Sequence, residues 1–191
     1  RDDSAQSLLA RLGVSDSAAA DFLRSDPRAR VLFNGRAGKL VSVETTDRNE
    51  VIRLSARWLN KSDDRTFQRL VVERQGDSFS VQLERAALTA TARLASGTIQ
   101  SSLFAATDAV RLPDSVASQL ADIFSSDIDF RRDLRKGDRF SIVYESLEAD
   151  GEVLSAGRIL SAEFVNDGKL LQTMWFEEPG QKGGYFGFDG Q

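Results

Sequence analysis

Two dipeptides, Asp150-Gly151 and Asp167-Gly168, constrain this chain most. Each suits a two-residue hairpin, because glycine tolerates the positive φ that such turns require. The flanking residues alternate as half-buried strands do. Phe140, Ile142 and Tyr144 precede the first turn, Val153–Val165 lies between the turns, and Leu170–Phe176 follows the second. Gly157 predicts a bulge or bend in the long middle segment. Upstream, Gln75-Gly76-Asp77 separates Leu70 and Val72 from Phe79, Val81 and Leu83, which predicts another hairpin. Leu88–Leu94 reads as a strand that Gly97 breaks and Ile99–Phe104 continues, and Tyr185–Phe188 closes the series. Antiparallel strands at this spacing predict a small barrel or a curled sheet.

The first third follows a different period. Leu8, Leu9 and Leu12 share a helical face, with Asp3 or Ser4 as N-cap and Gly13 placed for a left-handed C-cap. Ser15-Asp16-Ser17 can cap a second helix through Phe22 and Leu23, which Asp26-Pro27 ends. Lys39–Glu44 and Val51–Leu54 read as short strands. The polar stretch Asn60–Thr66 reads as a linker or long loop. A further helix begins at Pro113 and carries Val116, Leu120 and Ile123 or Phe124 on one face. A shorter helix over Leu103–Val110 competes with the strand reading there. The expectation is an α+β chain in two domains: a small αβ module over residues 1–62, and a mainly antiparallel, barrel-like domain with one or two helices over 63–191.

Composition narrows the chemistry. The 191 residues include no His and no Cys, so imidazole and thiolate metal ligands, disulfides and His-based nucleophile pairs are all absent from this sequence. Residues 1–65 carry 12 Lys or Arg against 10 Asp or Glu, and residues 66–191 carry 13 against 19. Neither half has the basic excess of a nucleic-acid-binding surface. No apolar run approaches the about 20 residues of a membrane span. Arg1 in first place predicts a trimmed N-terminus. The strand that runs into Asp189-Gly190-Gln191 predicts a further segment after it.

Several clusters invite a chemical reading. Asp127, Asp129, Asp133 and Asp138 could be imagined as a metal or acid–base group, but Arg131, Arg132, Arg135, Lys136 and Arg139 are interleaved with them. Surface ion pairs and turn caps are the weightier reading. Asp150-x-Glu152 lacks the ligand spacing of a calcium loop. Gly183-Gly184 and Gly187 open no helix and carry no Lys-Ser/Thr, so they are not a phosphate loop. Trp58, Tyr144, Trp175 and Tyr185 could stack on sugar rings, though aromatics on strands more often fill a core or an interface. Arg28, Arg30 and Arg36 around Val31-Leu32-Phe33 fit a solvated face better than an anion site.

Read together, these phrases resemble one family, the non-catalytic N-terminal region of LytM-type (lysostaphin-like) zinc metallopeptidases that cut peptidoglycan crosslinks. Asp2-Asp3-Ser4 with Leu8-Leu9-Ala10-Arg11-Leu12-Gly13-Val14 is similar to the opening of a LysM-like module of the opacity-associated-protein type. Asp2 stands where that family has Gly, and Ser4 where it has Thr. Ser101–Phe104, Leu112-Pro113, Ile123-Phe124, the block Asp127–Phe140 and Val143-Tyr144-Glu145 follow in family order. Gly183-Gly184-Tyr185 and Asp189-Gly190 resemble the lead-in to the peptidase domain.

The resemblance implies a non-enzymatic regulatory or positioning region in the periplasm or cell envelope, with a membrane anchor only upstream of this sequence. Its expected partners are its own C-terminal peptidase domain, which would carry the zinc, and peptidoglycan. It implies autoinhibition by occlusion of the peptidase groove. It also implies candidate glycan contacts at Asp3, Ser4, Asn34, Gly35 and Arg36, and a candidate interdomain docking surface at Asp127, Asp129, Arg132, Arg135 and Lys136. No residue here is expected to be catalytic or to bind metal. The alternatives are a glycan-binding module or an envelope adaptor scaffold without an inhibitory role.

Overall fold

The computed structural model describes residues 4–34 and 38–188. The chain is α+β and divides into two compact units, Arg1–Leu88 and Thr89–Gln191. In the first unit, helices α1 (Ala5–Arg11) and α2 (Ser17–Ser25) and a 3-10 turn at Ala29–Leu32 precede a four-stranded antiparallel sheet. Its strands are β1 (Leu40–Thr45), β2 (Val51–Leu59), β3 (Thr66–Gln75) and β4 (Ser78–Ala87), paired in chain order. Leu8, Leu9 and Leu23 from the helices meet Leu54, Leu70 and Val72 from the sheet in one buried core.

This division corrects the boundary expected at residue 62. The hairpin at Gln75-Gly76-Asp77 belongs with the helical N-terminus, because β2 pairs with β3 from Arg53↔Glu73 to Leu59↔Phe67. The stretch Asn60–Thr66 is accordingly a hairpin loop. The Thr66 N–H donates to the Asp63 carbonyl at 3.2 Å, and the Asn60 N–H donates to the Thr66 carbonyl at 3.1 Å. Polar composition marks a loop but cannot say whether the strands on either side pair with each other.

In the second unit, β5 (Thr89–Thr98), β6 (Arg139–Ala149), β7 (Glu152–Asn166), β8 (Lys169–Phe176) and β9 (Gly184–Phe186) form an antiparallel sheet in that order. Among the described residues β5 and β9 do not pair, so the sheet is open where a barrel-like closure was expected. Helices α3 (Leu103–Ala109) and α4 (Asp114–Ile123) supply Leu103, Val116 and Leu120 to a core shared with Phe140, Ile142, Ala162 and Phe164. Ser102 caps α3 by accepting from the Ala105 N–H, so Leu103-Phe104 is helical and the strand reading fails there. Gly97 does not break β5. Its Cα faces the Phe140 ring, where an added Cβ would lie 2.6 Å from a ring carbon.

Gly157 does mark a bulge. The register jumps from Tyr144↔Ile159 to Ser146↔Ala156. A bulge leaves ladder groups without a strand partner, and here α4 answers them. The Gln119 side-chain amide donates to the Gly157 carbonyl at 2.9 Å, and its oxygen accepts from the Ile159 N–H at 3.0 Å. Among the described residues no helix is long and apolar enough to cross a membrane.

Candidate functional site

The segment Phe124–Asp138 links α4 to β6 and is built on apolar anchors. Ile128 is buried, and the Phe130 ring meets Phe164 edge-on with centroids 5.7 Å apart. Between the anchors the carboxylates act mostly on backbone. The Asp129 carboxylate accepts from the Arg131 N–H at 2.9 Å, and the Asp133 carboxylate from the Asp129 N–H at 3.0 Å. The nearest guanidinium approach is Arg132 to Asp129 at 3.7 Å, with the Arg132 side chain 84% exposed. Arg135 donates to the Arg132 carbonyl at 2.9 Å. Asp127, Asp129, Arg132, Arg135 and Lys136 all lie on the exposed surface of this one segment. The turn-cap reading of these carboxylates holds. The ion-pair reading is reduced to one long, solvated contact, worth at most about 1 kcal/mol.

Asp138 is the exception. It is 4% exposed, and its carboxylate accepts from the Arg135 N–H at 2.7 Å, the Asn166 amide at 2.8 Å and the Asp167 N–H at 3.0 Å. Burial pushes its carboxyl up, but these donors outweigh burial and hold it below the usual carboxylate range. The Asn166 amide also donates to the Asp133 carbonyl at 2.9 Å. Asp138 thus ties this charged segment to the β7–β8 turn. The sequence placed Asp138 in the right cluster, but it held no sign of the 28-residue reach to Asn166.

Of the expected glycan residues, Ser4 and Asn34 are described. Ser4 caps α1 by accepting from the Ser7 N–H at 3.1 Å. The Asn34 carbonyl accepts from the Lys39 ammonium at 2.6 Å. Asp3, Gly35 and Arg36 lie outside the described residues. Lys39 escaped the sequence reading. Its ammonium sits 5.8 Å from the Trp58 ring centre, and burial, reinforced by the Lys61 charge, lowers its pKa. The aromatic candidates are already engaged. The Arg158 guanidinium lies 4.3 Å over Trp175, whose ring meets Tyr185 edge-on at 5.1 Å. The Tyr185 hydroxyl donates to the Ile159 carbonyl at 2.9 Å. Burial pushes that phenol up. Gly183 packs against the Trp175 ring, where a Cβ would collide. Trp175 and Tyr185 hold β9 in place and offer no bare stacking face.

Among the described residues no three His, Cys, Asp or Glu side chains group as a metal site. An apolar hollow of about 380 Å³ is floored by Met174, Phe176 and Phe186 and rimmed by Glu178, Gln181 and Lys182.

No protein-family model matches the sequence. The peptidoglycan DD-endopeptidase ShyC of Vibrio cholerae serotype O1 is 26% identical over 179 residues. The chain is homologous to part of a peptidoglycan DD-endopeptidase. The alignment covers 86% of this chain and 40% of that relative. A zinc-containing peptidase from Vibrio cholerae matches 99% of this chain and 55% of its own length, with TM-score 0.52 and 21% identity. Helicobacter pylori Csd3 matches 97% of this chain and 48% of its own length, with TM-score 0.56 and 13% identity. At these identities the two structures speak for the fold alone. The peptidoglycan-peptidase resemblance drawn from the sequence is upheld, and the chain spans about 40% of that relative's length.

Proposed function

We propose that this chain is the regulatory or positioning region of a peptidoglycan endopeptidase and performs no catalysis itself. One observation carries the reading: 86% of the chain aligns with a DD-endopeptidase, yet the sequence holds no His or Cys with which to bind zinc in the usual way. The zinc would then be held elsewhere in the full-length protein. Likeness to a peptidoglycan-acting relative also supports an envelope or periplasmic setting.

In this reading the mechanism is steric. The exposed cations Arg132, Arg135 and Lys136, with Asp127 and Asp129 beside them, form the face that meets the peptidase domain. Interdomain contacts of about 600–1,500 Å² are polar enough to release as rigid bodies. The test is addition of this chain in trans to a separately purified peptidase domain from the same protein. Turnover of crosslinked muropeptides is expected to fall with chain concentration. The charge-reversed triple variant Arg132→Glu, Arg135→Glu, Lys136→Glu is expected to lose that inhibition. Unchanged turnover at saturating chain would remove the regulatory role, and cleavage by the chain alone would remove the whole reading.

A further inference from the structure

Among the described residues four strands lie at sheet edges: β1, β4, β5 and β9. An unpaired edge is a template for another strand unless charge, a bulge or shortness blunts it. β9 has three residues, and β1 has a register shift at Glu44/Thr45. β4 carries the adjacent charges Glu84 and Arg85. β5 has ten residues, Thr89-Ala-Thr-Ala-Arg-Leu-Ala-Ser-Gly-Thr98, with no proline and a single charge. That charge, Arg93, turns to Glu148 on the neighbouring strand at 3.4 Å. Beside it stands Leu94, at 74% the most exposed of the large apolar side chains described.

We propose that β5 is the docking edge for a second copy of this chain, paired antiparallel about a two-fold axis at Leu94. Registers recommend this partner over an unrelated peptide. Leu94 pairs with Val143, Val143 with Ser161, Ser161 with Met174, and Met174 with Phe186, so one row crosses all five strands on the face opposite the helices. A two-fold axis at Leu94 joins that row to its own copy and buries the two leucines against each other. The same register sets Ala92 opposite Ser96 and Ala90 opposite Thr98 of the second copy, all small side chains. Arg93 falls opposite Ala95, so the two arginines do not face each other, whereas an axis at Arg93 would oppose like charges.

The absence of cysteine makes the test clean. Under mild oxidation, Leu94→Cys is expected to give a disulfide-linked dimer in high yield. Ala90→Cys is expected to give little, because its two copies would lie roughly 26 Å apart along the strands. By sedimentation the unmodified chain is expected to form dimers that Leu94→Arg converts to monomers, with an unchanged far-UV spectrum. The proposal is overturned by any of three results: an unmodified chain that is monomeric up to ~0.5 mM, a Leu94→Arg variant that stays dimeric, or equal crosslinking at positions 90 and 94. An edge that pairs only with an added peptide would appear as the first of these.

Discussion

Each unit is pinned by an aspartate whose carboxylate is covered, Asp138 buried and Asp16 with its side chain 6% exposed, and the two are compensated in different ways. Asp16 caps α2 by accepting from the Ala19 N–H at 3.0 Å, while its second oxygen accepts from the Val51 N–H at 2.8 Å and from the Arg74 guanidinium at 2.6 Å. Burial raises its carboxyl, and the backbone donors and the Arg74 charge more than reverse that. Arg74 in turn donates to the Val51 carbonyl at 2.8 Å and lies 4.6 Å over Phe79, whose ring stacks on Phe22. Asp138, by contrast, is met by two backbone N–H groups and one amide, although arginines abound in its own segment. A guanidinium on a long side chain can bridge from strand to helix start. Backbone donors reach only where a turn already brings them, but they lose no side-chain entropy in doing so. The contrast explains why the arginines near Asp138 remain on the surface.

That comparison can be broken by mutation, and the largest effect is expected at Asp138. Asp138→Ala leaves three donors without their acceptor and is expected to cost about 4 kcal/mol in denaturant unfolding of the second unit. A cost below about 1 kcal/mol would show that water replaces the carboxylate. Asp16→Ala is expected to cost about 3 kcal/mol, since it removes a cap and uncouples Arg74. A cycle with Arg74→Ala is expected to show coupling of about 2 kcal/mol, and additive losses would deny the bridge. Gln119→Ala exposes the β7 bulge and is expected to cost about 2 kcal/mol, with hydrogen exchange accelerated first at Ile159.

The acid limb sharpens the comparison further. Both aspartates have folded-state pKa values below their unfolded value of about 3.9. Their stabilisation is therefore fully present above that pH and lost as pH falls through the lower folded values. Asp16→Asn and Asp138→Asn are each expected to flatten the acid limb of the stability curve. The smallest effect is expected from salt. Raising ionic strength should weaken exposed pairs such as Arg24–Asp21 by less than about 0.5 kcal/mol. The Asp138 cluster, which contains no ion pair of that kind, should keep its full contribution in a salt-dependent unfolding series.

Local chemistry was legible in the sequence wherever neighbours decide the outcome. The turns at Gln75–Asp77, Asp150-Gly151 and Asp167-Gly168, the caps at Ser4 and Asp16, the bulge at Gly157 and the helix after Pro113 follow from φ preferences and short-range hydrogen bonds. The candidate surface at Asp127–Lys136 was legible as a turn-rich charged segment for the same reason. The identities of Asp16 and Asp138 marked them as caps or charges, and nothing nearby named Arg74 or Asn166 as their partners.

The sequence by itself determined the α+β class, the antiparallel hairpins and the lack of imidazole and thiolate chemistry, because each depends on residue type and spacing alone. Only the tertiary structure decided that β3 and β4 complete the first sheet, that the second sheet stays open, that Gln119 serves the β7 bulge, and that Trp175 is covered by Arg158. Those outcomes depend on which distant groups meet once the two cores are packed. Strand pairing and side-chain contact across dozens of residues are set by the burial of whole faces, which no local pattern encodes.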